Sequence, residues 1–333
     1  MALSDKTILD VRNLSTHFFT DEGVVKAVEN VSFTLHKGEI MGIVGESGSG
    51  KSVTNLSIIN LVQSPPGKIV AGEVFYNGED ILKINKKKLR EILGAKIAMI
   101  FQDPMTSLNP FLRISTQMIE TIMLHQKLNR KQARERAIEM LTMAGIPAAQ
   151  ERIDNYPHQF SGGMCQRVMI AMGLSCNPEI LIADEPTSAL DVTIKAQVLD
   201  LIRELKAKVK TAVLFITHDL GVVADMADTV VVMYAGQAVE IAGADDLFEK
   251  PSHPYTRALM ESIPYIDREA DTLFSIDGTV PDAAHYPEGC RFAKRCVDYD
   301  KNICSSADIV AMRDVGNGHL ARCKRAAGEL TAE

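Results

Sequence analysis

The chain is 333 residues long, enough for one large domain with an appended unit or for two domains. It carries 36 Lys and Arg residues against 43 Asp and Glu residues, and this formal charge of −7 argues against a protein whose main role is to neutralise a nucleic-acid backbone. No window holds 18 uncharged apolar residues and residues 1–20 lack a signal-peptide pattern, so we expect a soluble chain that is not exported.

The N-terminal region predicts strands that lead into a phosphate-binding loop. Alternating apolar residues indicate strands at 8–11 and 31–35, and a short apolar run at 40–44 indicates a buried one. Residues 45–52 then read Gly-Glu-Ser-Gly-Ser-Gly-Lys-Ser, which is a complete G-x4-G-K-S loop between a strand and a helix. The alternative is a glycine-rich turn that ends in Lys-Ser by chance.

Each residue type in this loop suits a phosphate ligand. Glycines remove the Cβ atoms that would block close approach, so backbone N–H groups can surround an anion at the positive end of a helix dipole. Lys51 is expected to reach the outer phosphates, and the Ser52 hydroxyl is expected to bind Mg²⁺. The candidate nucleotide-binding residues of the loop are Gly45, Ser47, Gly48, Gly50, Lys51 and Ser52.

Further along, the pattern changes from strands to helices. Strands are predicted at 70–79, ending in an Asn-Gly turn, and at 96–101. Apolar residues at three- and four-residue steps predict an α-helical insert over 115–144, which Gly145 and Pro147 close.

The second half of the chain predicts a parallel sheet covered by helices. Continuous apolar runs occupy 180–183, 212–216 and 229–233, with helical segments between them at 191–209 and 220–227. Beyond Lys250 frequent prolines and glycines break the chain into short pieces, and we place a domain boundary near residue 255.

Two adjacent acids follow the apolar run at 180–183. Asp184 ends the strand and can hold Mg²⁺ or its water ligands, and Glu185 is placed at the strand tip as a general base for an attacking water. The alternative is a solvated strand end. Ser161-Gly162-Gly163, read alone, is the capped start of a helix.

The order of these motifs resembles that of the ATP-binding subunits of ABC transporters. Residues 160–164, Phe-Ser-Gly-Gly-Met, resemble the family's signature sequence, with Phe and Met where Leu and Gln are commonest. The resemblance implies that Gln102 coordinates Mg²⁺ and senses the membrane partner, and that Asp191 belongs to the D-loop. It implies that His218 contacts the γ-phosphate and that Phe18, or its neighbour Phe19, stacks on adenine.

The same resemblance implies an α/β fold: an ABC-type P-loop ATPase with a RecA-like core, an antiparallel β subdomain and an α-helical subdomain at about 103–172. In this family two subunits sandwich two ATP molecules, and each phosphate loop faces Ser161 and Gly163 of the other subunit. We expect the membrane partner to dock near residues 105–110. All active-site positions are present, so we expect a hydrolysing site.

Four of the six cysteines, Cys290, Cys296, Cys304 and Cys323, lie near the C-terminus with the spacing C-x5-C-x7-C-x18-C. Structural zinc sites usually begin with a shorter first gap, so zinc fits this spacing poorly. An iron–sulfur cluster, its charge offset by nearby Arg and Lys residues, is the preferred hypothesis, and unligated thiols are the alternative. Cys165 and Cys176 are expected to be ordinary buried or free cysteines.

The C-terminal region narrows the resemblance to the ATPases of dipeptide and oligopeptide importers. His253–Leu259, Gly289-Cys290 and Tyr156–Gln159 carry this similarity. It implies an ABC ATPase domain at 1–255 and a peptide-importer extension at 256–333, whose close relatives carry a four-cysteine [4Fe–4S] site. An importer of nickel or a glycoside, or a non-transport ABC ATPase, is the alternative.

The implied assembly places the chain at the cytoplasmic face of the cell membrane. Its partners would be a second, distinct ABC ATPase subunit, two transmembrane permease subunits and an extracytoplasmic peptide-binding protein, with no nucleic acid.

Overall fold

A computed structural model describes residues 6–188, 190–262, 276–304 and 310–326. The strands in chain order are β1 Thr7–Thr20, β2 Gly23–His36, β3 Ile40–Val44, β4 Gly67–Tyr76, β5 Glu79–Asp80, β6 Ile97–Ile100, β7 Ile180–Asp184, β8 Ala212–Ile216, β9 Thr229–Tyr234, β10 Gln237–Gly243, β11 Arg313–Gly316 and β12 His319–Ala321. The helices are α1 Lys51–Ile58, α2 Lys86–Ile92, α3 Pro104–Ser107, α4 Ile114–Gln126, α5 Arg130–Met143, α6 Ala149–Arg152, α7 Gly162–Leu174, α8 Val192–Val209, α9 Leu220–Met226, α10 Ala244–Glu249, α11 Pro254–Glu261 and α12 Lys301–Cys304. Short 3-10 helices lie at Pro157–Gln159 and Ala293–Arg295.

The chain divides into two compact units, and the first consists mainly of Lys83–Ile216. Its strands β6, β7 and β8 pair in parallel, with Ile97 opposite Ile180 and Ile180 opposite Ala212. Every residue of β7 and β8 is buried, as expected for a parallel sheet covered by helices.

The predicted helical insert belongs to this unit and consists of two main helices. Lys127, with φ 54°, ends α4, and Asn129 starts α5 with a capping box to Gln132. Such local hydrogen bonds favour a new helix start over a continuous helix. Helices α4, α5 and α7 pack on one another through buried side chains that include Met118 and Leu141.

The second unit comprises Leu9–Thr34, Ile40–Leu82 and the described residues from 217 onward. It contains a sheet of order β2-β1-β4-β5, in which the β1–β4 and β4–β5 pairs are antiparallel. The predicted Asn-Gly turn is confirmed between β4 and β5, since Asn77 and Gly78 both have positive φ.

A second sheet of this unit has the order β11-β12-β10-β9-β3. Strands β3 and β9 pair in parallel, and the other pairs are antiparallel. Residues after 255 therefore share a sheet with the strand that precedes the phosphate loop. Among the residues described, no helix combines the length and hydropathy needed to cross a membrane.

A buried carboxylate joins three segments of this unit. Glu240 of β10 is fully buried and accepts hydrogen bonds from the backbone N–H groups of Ser252 at 2.6 Å and His253 at 2.9 Å. His319 of β12 lies 2.6 Å from it through Nε2. Buried charges require such partners, so Glu240 fixes the chain's turn at 252–253 and the position of β12 together.

The buried imidazole of His253 should make stability fall in acid. Burial lowers the pKa of His253 to about 3 from 6.5. Below pH 6.5 the imidazole is therefore protonated in the unfolded chain but stays neutral in the folded chain. Replacing His253 with Asn keeps a side chain that can cap α11, where His253 Nδ1 now accepts the N–H of Tyr255 at 3.0 Å.

Between pH 7.5 and pH 5 the free energy of unfolding should therefore fall by about 1–2 kcal/mol less in His253→Asn than in the wild-type protein. Denaturant unfolding at both pH values measures it. The difference at pH 7.5 measures packing alone and serves as the reference. If the free energy of unfolding fell equally steeply with pH below 6.5 in both proteins, the expectation would be contradicted.

Candidate nucleotide-binding and hydrolysis site

The phosphate loop connects β3 to α1 as predicted. Helix α1 starts at Lys51, and its N-cap Gly50 lies in the left-handed region with φ 99°. A Cβ on Gly45 would lie 2.1 Å from the Met233 carbonyl oxygen, and one on Gly50 would lie 2.4 Å from that of Ala27. These two glycines are therefore needed because the loop lies against its own protein backbone, a reason that differs from the predicted approach of a ligand.

Lys51 is held inside the loop. Its side chain is buried, and Nζ donates to the carbonyl oxygens of Gly45 at 2.7 Å and Glu46 at 2.9 Å. Ser52 is exposed beside it, and the Ser49 carbonyl accepts the N–H of Gly236 at 3.0 Å. The loop is thus fixed from both sides, with its cation at the start of α1.

The candidate loop residues end at Ser52. The next position, 53, is occupied by Val53 and not by a second serine, so it is not a site residue. Val53 lies in the first turn of α1, and its apolar side chain has no oxygen to offer to a phosphate or to Mg²⁺. The hydroxyl expected to bind the metal ion is therefore that of Ser52.

Two other predicted residues belong to the same unit. His218 is exposed and immediately precedes Asp219, whose carboxylate caps α9 by accepting the N–H of Val222 at 3.2 Å. Phe18 is half-buried in β1 opposite Gly67, whereas Phe19 is 51% exposed.

The first unit brings Gln102 and Glu185 together. They follow β6 and β7, which are adjacent parallel strands, so their side chains meet at one edge of the sheet. The Gln102 amide nitrogen donates to the Glu185 carboxylate at 3.1 Å. Asp184 is buried at the end of β7, and Glu185 has φ 45°, a backbone conformation that is uncommon for residues other than glycine.

Ser161 and Asp191 start the two helices of the signature region. Ser161 Oγ accepts the N–H of Met164 at 3.3 Å, and Asp191 accepts the N–H of Ile194 at 3.0 Å. Gly163 lies next to Ile194, because a Cβ there would be 2.9 Å from that side chain. Helices α7 and α8 therefore begin side by side, with the exposed Ser161 at the start of α7.

Comparison with known proteins places this geometry in a family. The model of the ABC transporter family matches residues 28–188, and that of the oligopeptide/dipeptide transporter C-terminal region matches residues 239–304. The oligopeptide transport ATP-binding protein AppD of Bacillus subtilis is 53% identical over 87% of this chain and 88% of its own length. The dipeptide transport ATP-binding protein DppD of Escherichia coli is 46% identical over 95% of this chain and 96% of its own.

The chain belongs to the ABC transporter ATP-binding family.

A solved structure agrees with this assignment. A dimeric ATP-binding cassette in a post-hydrolysis state bound to ADP and Pi is 28% identical, with a TM-score of 0.64 over 71% of this chain and 99% of its own. The predicted ABC-type α/β fold is thereby confirmed.

ABC ATPases use ATP and Mg²⁺, and the residues present fit both ligands. The glycine-rich loop with Lys51 and the Ser52 hydroxyl suits a triphosphate with its metal ion. The oxygens of Asp184 and Gln102 are the hard donors that Mg²⁺ prefers.

The predicted iron–sulfur cluster of this ABC ATPase is wrong. Cys290, Cys296, Cys304 and Cys323 are free thiols that line one pocket, whose cavity of about 20 Å³ has room for about one water. Within the described ranges, no three His, Cys, Asp or Glu side chains are placed to hold a metal ion, so the zinc alternative has no support there either.

Thiol chemistry agrees with this correction. Burial raises the pKa of Cys290 and raises that of Cys296 to about 11, which favours the neutral thiol over the thiolate at both positions. Spacing alone could not show this, because it says nothing about the room between the sulfur atoms. Cys165 and Cys176 are free cysteines, as predicted.

The contacts that three residues make around the ABC ATPase loop had no signal in the sequence. Glu46 occupies a variable loop position, and its partners Tyr255 and Arg295 lie 209 and 249 residues later. No spacing rule links residues so far apart, and only the folded chain shows that they meet.

Proposed function

We propose that this chain is the ATP-hydrolysing subunit that powers import of dipeptides or oligopeptides through an ABC transporter. The observation that carries the proposal is the hydrogen bond of Gln102 to Glu185 at the tips of β6 and β7, in a chain that also holds a complete phosphate loop. Relatives over most of its length are named as oligopeptide and dipeptide transport ATP-binding proteins.

The loop residues bind and orient the nucleotide in this proposal. The backbone N–H groups from Gly45 to Gly50, with Ser47 and Gly48 between them, surround the phosphates, and Lys51 neutralises the outer ones. Phe18 stacks on adenine. Ser52, Asp184 and Gln102 hold Mg²⁺, which neutralises charge on the phosphate oxygens when bound.

Glu185 is the proposed general base. Its carboxylate takes a proton from the attacking water, and the Gln102 amide, 3.1 Å away, orients it. His218 contacts the γ-phosphate. Because Glu185 follows Asp184 directly, base and metal ligand sit at the tip of one strand.

A second ATPase subunit completes the proposed site. Ser161 and Gly163 at the exposed start of α7 meet the phosphates bound by the partner's loop, and Asp191 at the start of α8 lies beside them. We propose that the partner is a similar but distinct ATPase, so that the pair is a heterodimer.

The remaining proposed partners are two transmembrane permease subunits and an extracytoplasmic peptide-binding protein, which places the chain at the cytoplasmic face of the membrane. Exposed apolar side chains support docking just past Gln102: Met105 is 51% exposed and Phe111 is 86% exposed. We further propose an ABC ATPase domain at 1–255, with its helical subdomain at about 103–172, and an extension at 256–333.

Reconstitution tests the proposal. The chain should be purified with its co-expressed permease subunits, placed in liposomes with the binding protein, and assayed for ATP hydrolysis and for uptake of a labelled dipeptide or tripeptide. We expect ATP-dependent peptide uptake and peptide-stimulated hydrolysis. Uptake of Ni²⁺ or a glycoside instead of peptide would contradict the cargo, and an absence of hydrolysis in the complete assembly would contradict the enzyme.

A further inference from the structure

Arg295 of the C-terminal extension forms an ion pair with Glu46 of the phosphate loop. Arg295 Nη1 lies 2.7 Å from Glu46 Oε2, and Nη2 lies 3.1 Å from Oε1, so the two planar groups form a bidentate pair. The Arg295 side chain is 5% exposed and that of Glu46 is 28% exposed. This pair is therefore shielded from water and salt far better than an ordinary surface ion pair.

Arg295 cannot easily choose another partner, because each of its five N–H groups is used. Nε donates to the Asp277 carbonyl at 3.0 Å, and the second N–H of Nη2 donates to the Ile276 carbonyl at 3.3 Å. The second N–H of Nη1 donates to the Tyr234 hydroxyl at 3.4 Å. The guanidinium plane is thus oriented by the protein before it meets Glu46.

The backbone of Glu46 connects this ion pair to Lys51, the phosphate-binding lysine of the loop. Its N–H donates to the buried Tyr255 hydroxyl at 2.9 Å. Its carbonyl accepts from Lys51 Nζ at 2.9 Å and from the Ser49 N–H at 3.2 Å. A displacement of Glu46 therefore moves the groups that hold Lys51 and shape the loop.

An aromatic cluster makes the extension's side of the contact rigid. The ring centroids of Tyr234 and Tyr255 are 4.6 Å apart, and the Phe292 ring lies 5.2 Å from the first and 5.4 Å from the second. Phe292 is buried and precedes the 3-10 turn that carries Arg295. Such packing holds the turn in one place relative to the loop.

A second contact from the extension reaches the other side of the loop. Arg291 is buried and donates to the Ala235 carbonyl and to the Glu29 carboxylate. Gly236, the next residue, donates its N–H to the Ser49 carbonyl. The extension thus supports the loop both at Glu46 and beneath Ser49.

We propose that Arg295 is a positioning residue of the nucleotide site: by holding Glu46 it sets the phosphate loop, so the C-terminal extension is a working part of ATP binding. This inference rests on the proposed function. It assigns to the extension a role in the ATP site itself, separate from any choice of cargo.

Nucleotide affinity of the full chain tests the proposal. We expect Arg295→Met to weaken binding of a fluorescent ATP analogue with Mg²⁺ by about tenfold, the loss expected for a shielded bidentate ion pair. The KM for ATP should rise by a similar factor with little change in kcat, because the variant weakens nucleotide binding by the loop and removes no group that takes part in the reaction. The affinity of Arg295→Lys should lie between those of the wild type and Arg295→Met, since an ammonium keeps the charge but cannot bridge both carboxylate oxygens of Glu46.

A matched control comes from the same extension. Arg257 pairs with Asp298, away from the loop, so Arg257→Met removes an ion pair of the extension without touching Glu46. It should leave the nucleotide affinity unchanged. Glu46→Gln should reproduce the loss seen in Arg295→Met, and the double variant should be no weaker than either single one, because both remove the same interaction.

Equal affinity of the wild-type chain and Arg295→Met, at a temperature where both are folded, would overturn the inference. Should Arg295→Met fail to fold, Arg295→Lys and Glu46→Gln decide it by the same measurement. Wild-type protein that binds no ATP analogue would overturn the proposed function together with this inference, whereas a binding wild type with an unaffected variant overturns the inference alone.

Discussion

Glu185→Gln is expected to abolish ATP hydrolysis while ATP binding stays at the wild-type level. The amide has the shape of the carboxylate and can keep a hydrogen bond with Gln102, which now donates to Glu185 at 3.1 Å. It cannot accept a proton from water, and general bases contribute about 10²–10⁴-fold to rate. We expect hydrolysis by the assembled complex to fall at least about 100-fold, with an unchanged Kd for a fluorescent ATP analogue.

The control lies at the opposite end of the same strand. Glu179 immediately precedes β7 and pairs with Lys96 at 2.8 Å on the surface, so Glu179→Gln makes the same chemical change away from the strand tip. It should retain wild-type hydrolysis. Hydrolysis by Glu185→Gln at the rate of the Glu179 variant would show that another group is the base.

Gly45→Ala should destabilise the fold and remove nucleotide binding together. The added Cβ would lie 2.1 Å from the Met233 carbonyl oxygen, a backbone atom that cannot turn aside, and Gly45 has φ 150°. Either the end of β9 or the phosphate loop must shift. We expect a loss of more than about 3 kcal/mol in the free energy of unfolding, measured by denaturant titration, and no measurable binding of the ATP analogue.

Gly38→Ala is the control that separates the cost of the clash with Met233 from the cost of a positive φ in alanine. Gly38 also has a positive φ, 72°, but a Cβ there meets no heavy atom within 4 Å. This variant should lose only about 1 kcal/mol and bind the analogue normally. Equal losses in both variants would mean that strain alone, and not contact with Met233, explains the need for glycine at position 45.

The strands and the loop could be predicted because their signals are local. Five consecutive apolar residues precede Gly45, and the glycine, lysine and serine positions that follow have fixed spacing, so strand, loop and helix can be read from one short stretch. The capping side chains Asp191 and Asp219 mark the starts of α8 and α9 in the same way.

The reason for each glycine and the fate of the cysteines could not be predicted. The loop motif showed that Gly45 and Gly50 are needed, but their neighbours Met233 and Ala27 come from distant segments. Cysteine spacing suggested a cluster, whereas the thiols of Cys290 and Cys296 line a cavity with room for about one water. Both depend on packing between residues far apart in sequence.

The pairing of β12 with β10 has a consequence for how such cassettes can be shortened or recombined. Leu320 and Ala321 cover the edge of β10 opposite Ile241 and Glu240, so a chain cut before residue 319 would present a bare strand edge, open to aggregation. A tail exchanged between two cassettes must therefore supply a strand equivalent to β12 and a partner for Glu240 equivalent to His319. The segment that carries β12 is thus a structural part of the sheet that also contains β3, the strand before the phosphate loop.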